Sequence, residues 1–241
     1  LIDVAVIISD ISENLISSLF RSWFIDFDPV KAKAEGKLPY GMDEETAALF
    51  PDSFEDSELG PIPAGWKVGR VEDILDVSWG DTDVTKKSYS EDGFPAFSAK
   101  GQDGYLQYYD YEQWGIVLSA IGANCGNTWI ASGKWSCIKN TMRFIELKAE
   151  NEFVPYFYYL SKNPYFWPIR GSAQPFIGMN DVKKVKILIP NSALIQKFSE
   201  LSKKMLDTLH INETIGEKLS RARDTLLPRL MSGDLEVPME T

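Results

Sequence analysis

The sequence predicts an α+β protein: a mixed α/β globular domain flanked by two long helices that pair as a coiled-coil spacer. Three observations predict it. Apolar residues recur in alternating steps of four and three in both flanks, the pattern of a heptad seam. Between the flanks, short runs rich in β-branched and aromatic residues are punctuated by glycine, as strands and turns are. An acidic, proline-broken stretch separates the first flank from those runs.

The first helix is expected over residues 2–26, within a spacer segment 1–27. Its seam runs Val4, Ile8, Ile11, Leu15, Ser18, Ser22 and Ile25, and Leu19, Phe20, Trp23 and Phe24 widen the apolar face near its end. Pro29 marks the boundary, because proline disfavours helical backbone in the residue before it. Residues 28–65 read as an acidic linker, broken at Pro39, Pro51, Pro61 and Pro63, with a short helix at 43–49.

Residues 66–190 read as the globular domain. Strands are expected at Lys67–Val71, Ile116–Ser119, Thr128–Ile130, Met142–Leu147 and Val185–Ile189, and a short helix at Val154–Ser161. The second long helix is the clearest element. Leu194, Phe198, Leu201, Met205, Thr208, Asn212, Ile215, Leu219, Ala222 and Leu226 form an unbroken seam. Residues 191–227 in helix would extend roughly 55 Å. Pro228 and Gly233 are expected to end it, within a segment 191–232 followed by a tail at 233–241. Asn212 in the seam is of the kind that fixes register.

Composition narrows the functional classes. The net charge of −10 is unevenly placed: residues 1–59 hold 4 basic and 13 acidic side chains, whereas 60–190 hold 14 of each. The middle of the chain is therefore free to present a basic face. No apolar run is long enough to span a membrane. The apolar start lacks the basic leader and small-residue cleavage site of a signal peptide. Cys125 and Cys137 then read as reduced thiols in a cytoplasmic protein. Two cysteines and one histidine do not make a structural metal site, so no metal and no cofactor is expected.

Catalytic constellations are weak. Glu146-Leu147-Lys148 and Glu35-Gly36-Lys37 have a nuclease-like spacing, but Glu35 falls in the linker. Glu146 has only Asp103 and Asp110 as candidate carboxylate partners. Surface ion pairs explain both. Asn163-Pro164-Tyr165-Phe166 lacks one proline of a base-holding methyltransferase loop and follows a helix, so it reads as a turn. His210 sits on the outer face of the long helix, and Gly101-Gln102-Asp103-Gly104 is a turn and not a phosphate cradle.

Three polar loops remain, and they carry the side chains that fit base edges and phosphates. The first holds Trp79, Thr82, Lys86 and Lys87. The second holds Ser98, Lys100 and Gln102, with the stretch Ser119–Asn127, which includes Asn124, as a neighbour. The third holds Arg170, Ser172 and Gln174.

Four stretches carry a resemblance. They are Phe20-Arg21-Ser22-Trp23-Phe24-Ile25-Asp26-Phe27-Asp28-Pro29-Val30, the span from Ala47-Ala48-Leu49-Phe50-Pro51 to Gly60-Pro61-Ile62-Pro63-Ala64-Gly65-Trp66, Gly171-Ser172-Ala173-Gln174-Pro175-Phe176-Ile177, and Arg223-Asp224-Thr225-Leu226-Leu227-Pro228-Arg229-Leu230-Met231-Ser232-Gly233-Asp234-Leu235. With them the chain resembles the specificity (S) subunits of type I restriction-modification systems along nearly its whole length. The third stretch is similar to that family's G-[ST]-x-Q-x-x-I element.

The resemblance implies that 66–190 is a target recognition domain reading one half of a bipartite site in double-stranded DNA. It implies that the helices are spacers that bind methyltransferase (M) subunits, with restriction (R) subunits joining the complex. The subunit itself is non-catalytic, and methylation with S-adenosylmethionine belongs to the M subunit. Such subunits usually carry two recognition domains. This chain shows one, which implies either a C-terminal portion or a half-subunit that self-associates through its helices. On that function, residue type makes Lys86, Lys87, Lys100 and Arg170 the expected phosphate or guanine contacts, and Gln102, Asn124, Ser172 and Gln174 the expected base readers.

Overall fold

The first helix, α1 (Ile2–Phe24), ends on Phe20, Trp23 and Phe24, and these three buried aromatic side chains set the centre of the fold. The structure is a computed structural model. It describes residues 2–148, 152–163 and 165–232, and in the long helices the side chains of 2–6, 9, 209–215, 217–222 and 230 lie outside the description. The chain divides into two units. The larger is Phe20–Glu200; the smaller gathers the described residues up to Leu19 and those from Leu201 onward.

In the larger unit, the stretch read as a linker is folded. It forms α2 (Asp28–Ala34), α3 (Glu44–Ala48) and the hairpin β1 (Phe54–Ser57) with β2 (Gly60–Pro63). Val30, Ala47, Phe50, Ile62 and Trp66 are buried. Trp23 meets Phe50 edge-on at 5.2 Å, and Phe24 lies 6.0 Å from Trp66. The acidic residues conceal this core in the sequence because they lie on the outer side of a thin layer. Asp43 caps α3 by accepting the Thr46 N–H at 2.6 Å, one reason acids concentrate here. Lys33 closes the layer by donating to the carbonyls of Ala47 and Phe50.

The strands follow in order: β3 (Lys67–Arg70), the short α4 (Val71–Ile74), β4 (Leu75–Trp79), a 3-10 turn at Lys86–Ser88, β5 (Phe94–Ser98), β6 (Gly101–Leu106), β7 (Tyr111–Glu112), β8 (Gly115–Ser119), β9 (Thr128–Ala131), β10 (Lys134–Cys137) and β11 (Thr141–Glu146). Two four-stranded sheets result, ordered β6-β5-β10-β7 and β4-β11-β8-β9. Phe97, Trp135 and Cys137 of the first pack against Val117 and Ala131 of the second, forming one apolar layer. The second sheet is covered by α5 (Val154–Ser161), whose Phe157 lies 5.4 Å from Phe144. Tyr156 of the same helix meets Phe24 at 5.0 Å and so joins sheet to aromatic centre. The unit closes with α6 (Met179–Lys183) and β12 (Lys186–Ile189), which pairs with β3.

The last helix, α7, runs Ser192–Met231. Asn191 starts it by accepting the Leu194 N–H at 2.9 Å. Phe198 then reaches the aromatic centre, 5.1 Å from Phe24. The helix passes Pro228 and ends at Met231, within the segment 191–232. Proline removes only its own N–H, its carbonyl still accepts from Ser232 at 2.9 Å, and so one more turn closes. The backbone of His210 and Asn212 is helical, while their side chains lie outside the described residues.

The seam read on α1 is turned outward. Ile8, Ile11 and Leu15 are 43%, 54% and 55% exposed, whereas Ile16 is 1% exposed. Consecutive helical residues differ by about 100° around the axis. Burial of Phe20, Trp23 and Phe24 therefore selects the stripe through Ile16 and leaves the heptad stripe through Leu15 in solvent. Three large aromatics outweigh aliphatic and serine seam positions in apolar area removed from water.

Candidate nucleic-acid interface

Strand pairing alone gathers the loops of interest at one end of the domain. The end of β4 pairs with the start of β11 (Trp79 with Met142), and the end of β8 pairs with that same start (Ser119 with Thr141). The end of β8 also pairs with the start of β9 (Leu118 with Thr128), while β5 and β10 run parallel and finish side by side. The segments after Trp79, Ser98, Ser119 and Cys137 therefore emerge together. Gly80 permits a close approach: a Cβ there would collide with the carbonyl of Ile138 and the hydroxyl of Thr141.

Specific bonds stitch the three predicted loops into one surface. Asp103 on β6 is the first tie. Its carboxylate receives the Lys86 ammonium, the Tyr89 hydroxyl at 2.9 Å and the Ser98 hydroxyl at 2.7 Å, joining the first loop to the second. Burial pushes the Asp103 carboxyl up, but the three donors and the Lys86 charge outweigh it and hold the group below its ordinary value. The second tie is Asn124, whose side-chain amide donates to the Ala99 carbonyl at 2.9 Å. The third is backbone: Gly122 donates to Pro175 at 2.9 Å and Ile177 to Ala120 at 2.9 Å, locking the third loop beside Ser119–Asn127.

The predicted residues take different places on this surface. Trp79, Thr82, Lys86, Lys87, Lys100, Gln102, Arg170, Ser172 and Gln174 are exposed. Ser172 and Gln174 stand at the tip of a turn closed by paired backbone bonds between Arg170 and Phe176 at 2.8 and 2.9 Å. Arg170 itself is ion-paired with Asp181 at 2.8 Å. Ser98 faces inward instead: it is 3% exposed, its hydroxyl donates to Asp103 and accepts the Lys100 N–H at 3.1 Å. Asn124 is half-buried and held by Ala99. Both therefore shape the second loop from within.

Sequence reasoning missed Lys139 and Asn140. They form the turn between β10 and β11, with Asn140 in left-handed backbone at φ 68°. With Thr85–Lys87 and Ser98–Lys100 they line a cleft of about 540 Å³. The available signal was the Lys-Asn pair between two strand-like runs, since asparagine tolerates that backbone better than most residues. A second cleft, of about 520 Å³, lies between Cys125–Trp129 and Ser161–Asn163, with Lys162 stacked 4.6 Å over the Tyr158 ring.

The catalytic alternatives find structural uses. Glu146 accepts the Val154 N–H at 2.7 Å and caps the start of α5. Glu35 pairs with Lys37 at 2.7 Å on the surface. Asn163 accepts the Tyr165 N–H at 3.0 Å in a turn after α5. Both cysteines are free, and among the described residues no helix is long and apolar enough to cross a membrane.

Comparison with known proteins decides the family. Residues 63–221, well over half of the chain, match the family described as the type I restriction modification DNA specificity domain. The chain belongs to that family. Type I specificity subunits are similar to it along most of its length. The type I restriction enzyme MjaIX specificity subunit of Methanocaldococcus jannaschii is 26% identical over 251 residues, covering 95% of this chain and 54% of the relative. The type I restriction enzyme HindI specificity subunit of Haemophilus influenzae is 25% identical over 285 residues, covering 92% and 61%. The type I restriction-modification S subunit of M. genitalium, known from a crystal structure, shares the fold with a TM-score of 0.59 at 18% identity, covering 99% of this chain and 60% of that one. The chain spans from a little over half to about three-fifths of the length of these type I specificity subunits. The α+β class expected from the sequence is the class of this fold, and type I specificity subunits are not the catalytic subunits of their systems.

Proposed function

We propose that this chain is a sequence-reading part of a type I restriction-modification complex. Its target recognition domain reads one half of a bipartite site in double-stranded DNA. Its long helices act as a coiled-coil spacer that docks methyltransferase subunits, and restriction subunits join through that complex. The single observation that carries the reading is the convergence of three separate polar loops on one end of the domain, each fixed to its neighbour by hydrogen bonds. A rigid scaffold presenting several loops together is what base readout in a groove requires.

Within that surface, Gln102, Ser172 and Gln174 are the candidate base readers, being exposed and of types that pair with base edges. The assembly half of the reading is supported by the outward stripe of Ile8, Ile11 and Leu15 on α1, an apolar face that a partner helix would cover. Two copies joined through their helices would also recreate a bipartite reader with two-fold symmetry.

The experiment is to map methylated positions in DNA treated with this chain and its methyltransferase subunit. Replacing Gln102, Ser172 or Gln174 in turn is expected to relax one position of the target each, at about 1–3 kcal/mol of discrimination. Unchanged selectivity across all three variants would defeat the assignment. A wild-type complex with no sequence preference would defeat the reading itself.

A further inference from the structure

Lysines from three separate turns meet at one cleft. Lys87 comes from the 3-10 turn, Lys100 from the β5–β6 turn and Lys139 from the β10–β11 turn, and all three are exposed at the cleft. The fourth lysine there, Lys86, is already neutralised by Asp103, whose side chain is only 20% exposed. Among the described residues, Lys87, Lys100 and Lys139 have no carboxylate in an ion pair. Bringing three ammonium groups to one concavity raises the local potential, and the arrangement is relieved by an anion from outside.

The chemistry of the cleft selects the kind of anion. Lysine is a compact point charge, suited to phosphate oxygens, and lacks the planar fork that reads guanine bidentately. Of the directional groups nearby, the Ser98 hydroxyl is engaged with Asp103, the Lys100 N–H with Ser98, and the Thr85 hydroxyl with the Lys87 N–H at 3.3 Å, which leaves the Asn140 amide beside the three ammonium groups. We infer that this cleft grips a phosphate of the DNA backbone through Lys87, Lys100 and Lys139, and that Asp103 is a positioning residue which ties the 3-10 turn to the β5–β6 turn and withholds Lys86 from the duplex. The inference rests on the DNA-reading function proposed above and divides labour within it: this cleft sets affinity and register, while Gln102, Ser172 and Gln174, outside the cleft, read sequence.

Salt dependence separates the two roles. The wild-type complex with its methyltransferase subunit is titrated with the methylation target duplex and with a duplex changed at one target base, over a range of salt concentrations. Lys139→Gln is expected to weaken binding to both duplexes by the same factor, about threefold to tenfold, and to flatten the slope of log affinity against log salt by about 0.9. Lys87→Gln and Lys100→Gln should do the same. Asp103→Asn should move the other way, with a steeper slope and tighter binding to both duplexes, although the fold is weakened. Loss of structure alone cannot produce that sign.

Three results overturn the inference: lysine variants that change discrimination between duplexes but not the salt slope, an Asp103→Asn complex with an unchanged or flatter slope, or competition by inorganic phosphate at constant ionic strength, which would make this a free-phosphate site. A wild-type complex that binds neither duplex defeats the DNA-reading function itself, and is told apart from failure of the clamp by that control.

Discussion

The side-chain amide of Asn124 donates to the backbone carbonyl of Ala99 at 2.9 Å, across 25 residues of sequence. This bond holds the Ser119–Asn127 loop against the β5–β6 turn, and it removes one donor of Asn124 from any role at a base edge. Asn124→Ala is expected to cost about 1 kcal/mol of stability by losing the bond. Asn124→Asp should cost more, because it turns a donor into an anion facing a carbonyl oxygen. Denaturant unfolding of the two variants checks the order. A variant ranking of Ala worse than Asp would show that the bond is not the tie described.

Glu146 offers a clean separation of structural from catalytic roles. Its Oε1 accepts the Val154 N–H at the start of α5. Glu146→Ala is expected to lower stability by about 0.5–2 kcal/mol, the usual range for a lost helix cap. DNA incubated with magnesium and the wild-type chain should stay intact. Cleavage that disappears in the Glu146→Ala variant would instead mark a nuclease.

Acid should loosen the joined loops through Asp103. Its folded-state value is depressed, so the stabilisation it gives is fully present above the ordinary carboxylate range and is lost as pH falls through that lowered value. At that point Lys86, Tyr89 and Ser98 lose their charged acceptor. Thermal unfolding followed from neutral to acid pH should show a steeper acid limb in the wild type than in Asp103→Asn. Parallel limbs would remove Asp103 from the account.

Neighbouring residues on α1 should behave in opposite ways. Ile16→Ala removes a side chain that is 1% exposed and is expected to cost about 2–4 kcal/mol. Leu15→Ser changes a side chain that is 55% exposed and should alter the stability of the isolated chain by no more than about 0.5 kcal/mol. Leu15→Ser should instead weaken association with the methyltransferase subunit, measured by sedimentation of the mixture. Unchanged association would show that the outward stripe is not a docking face.

Local periodicity made much of this fold legible. The strands at Lys67–Arg70, Gly115–Ser119, Thr128–Ala131 and Thr141–Glu146, and the helix Val154–Ser161, fall where β-branched runs and an aromatic cluster indicated. What local pattern could not reveal was competition between faces. The heptad stripe of α1 is regular, yet a denser aromatic stripe one residue away decides the helix rotation. The folded layer at 28–65 was hidden by its charge, because a thin layer exposes more acids than it buries apolar residues. At the interface, the exposed lysines and the third loop were legible from residue type alone. The inward turn of Ser98 and the arrival of Lys139 were not, since both depend on the side-by-side ends of β5 and β10.

The aromatic centre built from Phe20, Trp23, Phe24, Phe50, Trp66, Tyr156 and Phe198 draws no member from the three loops. The chassis and the lettering on it are thus encoded by different residues. If the loop tips read DNA as proposed, mutations there can change the target while the mounting keeps its shape, and a lineage of such chains is free to drift from one target word to another without passing through an unfolded ancestor.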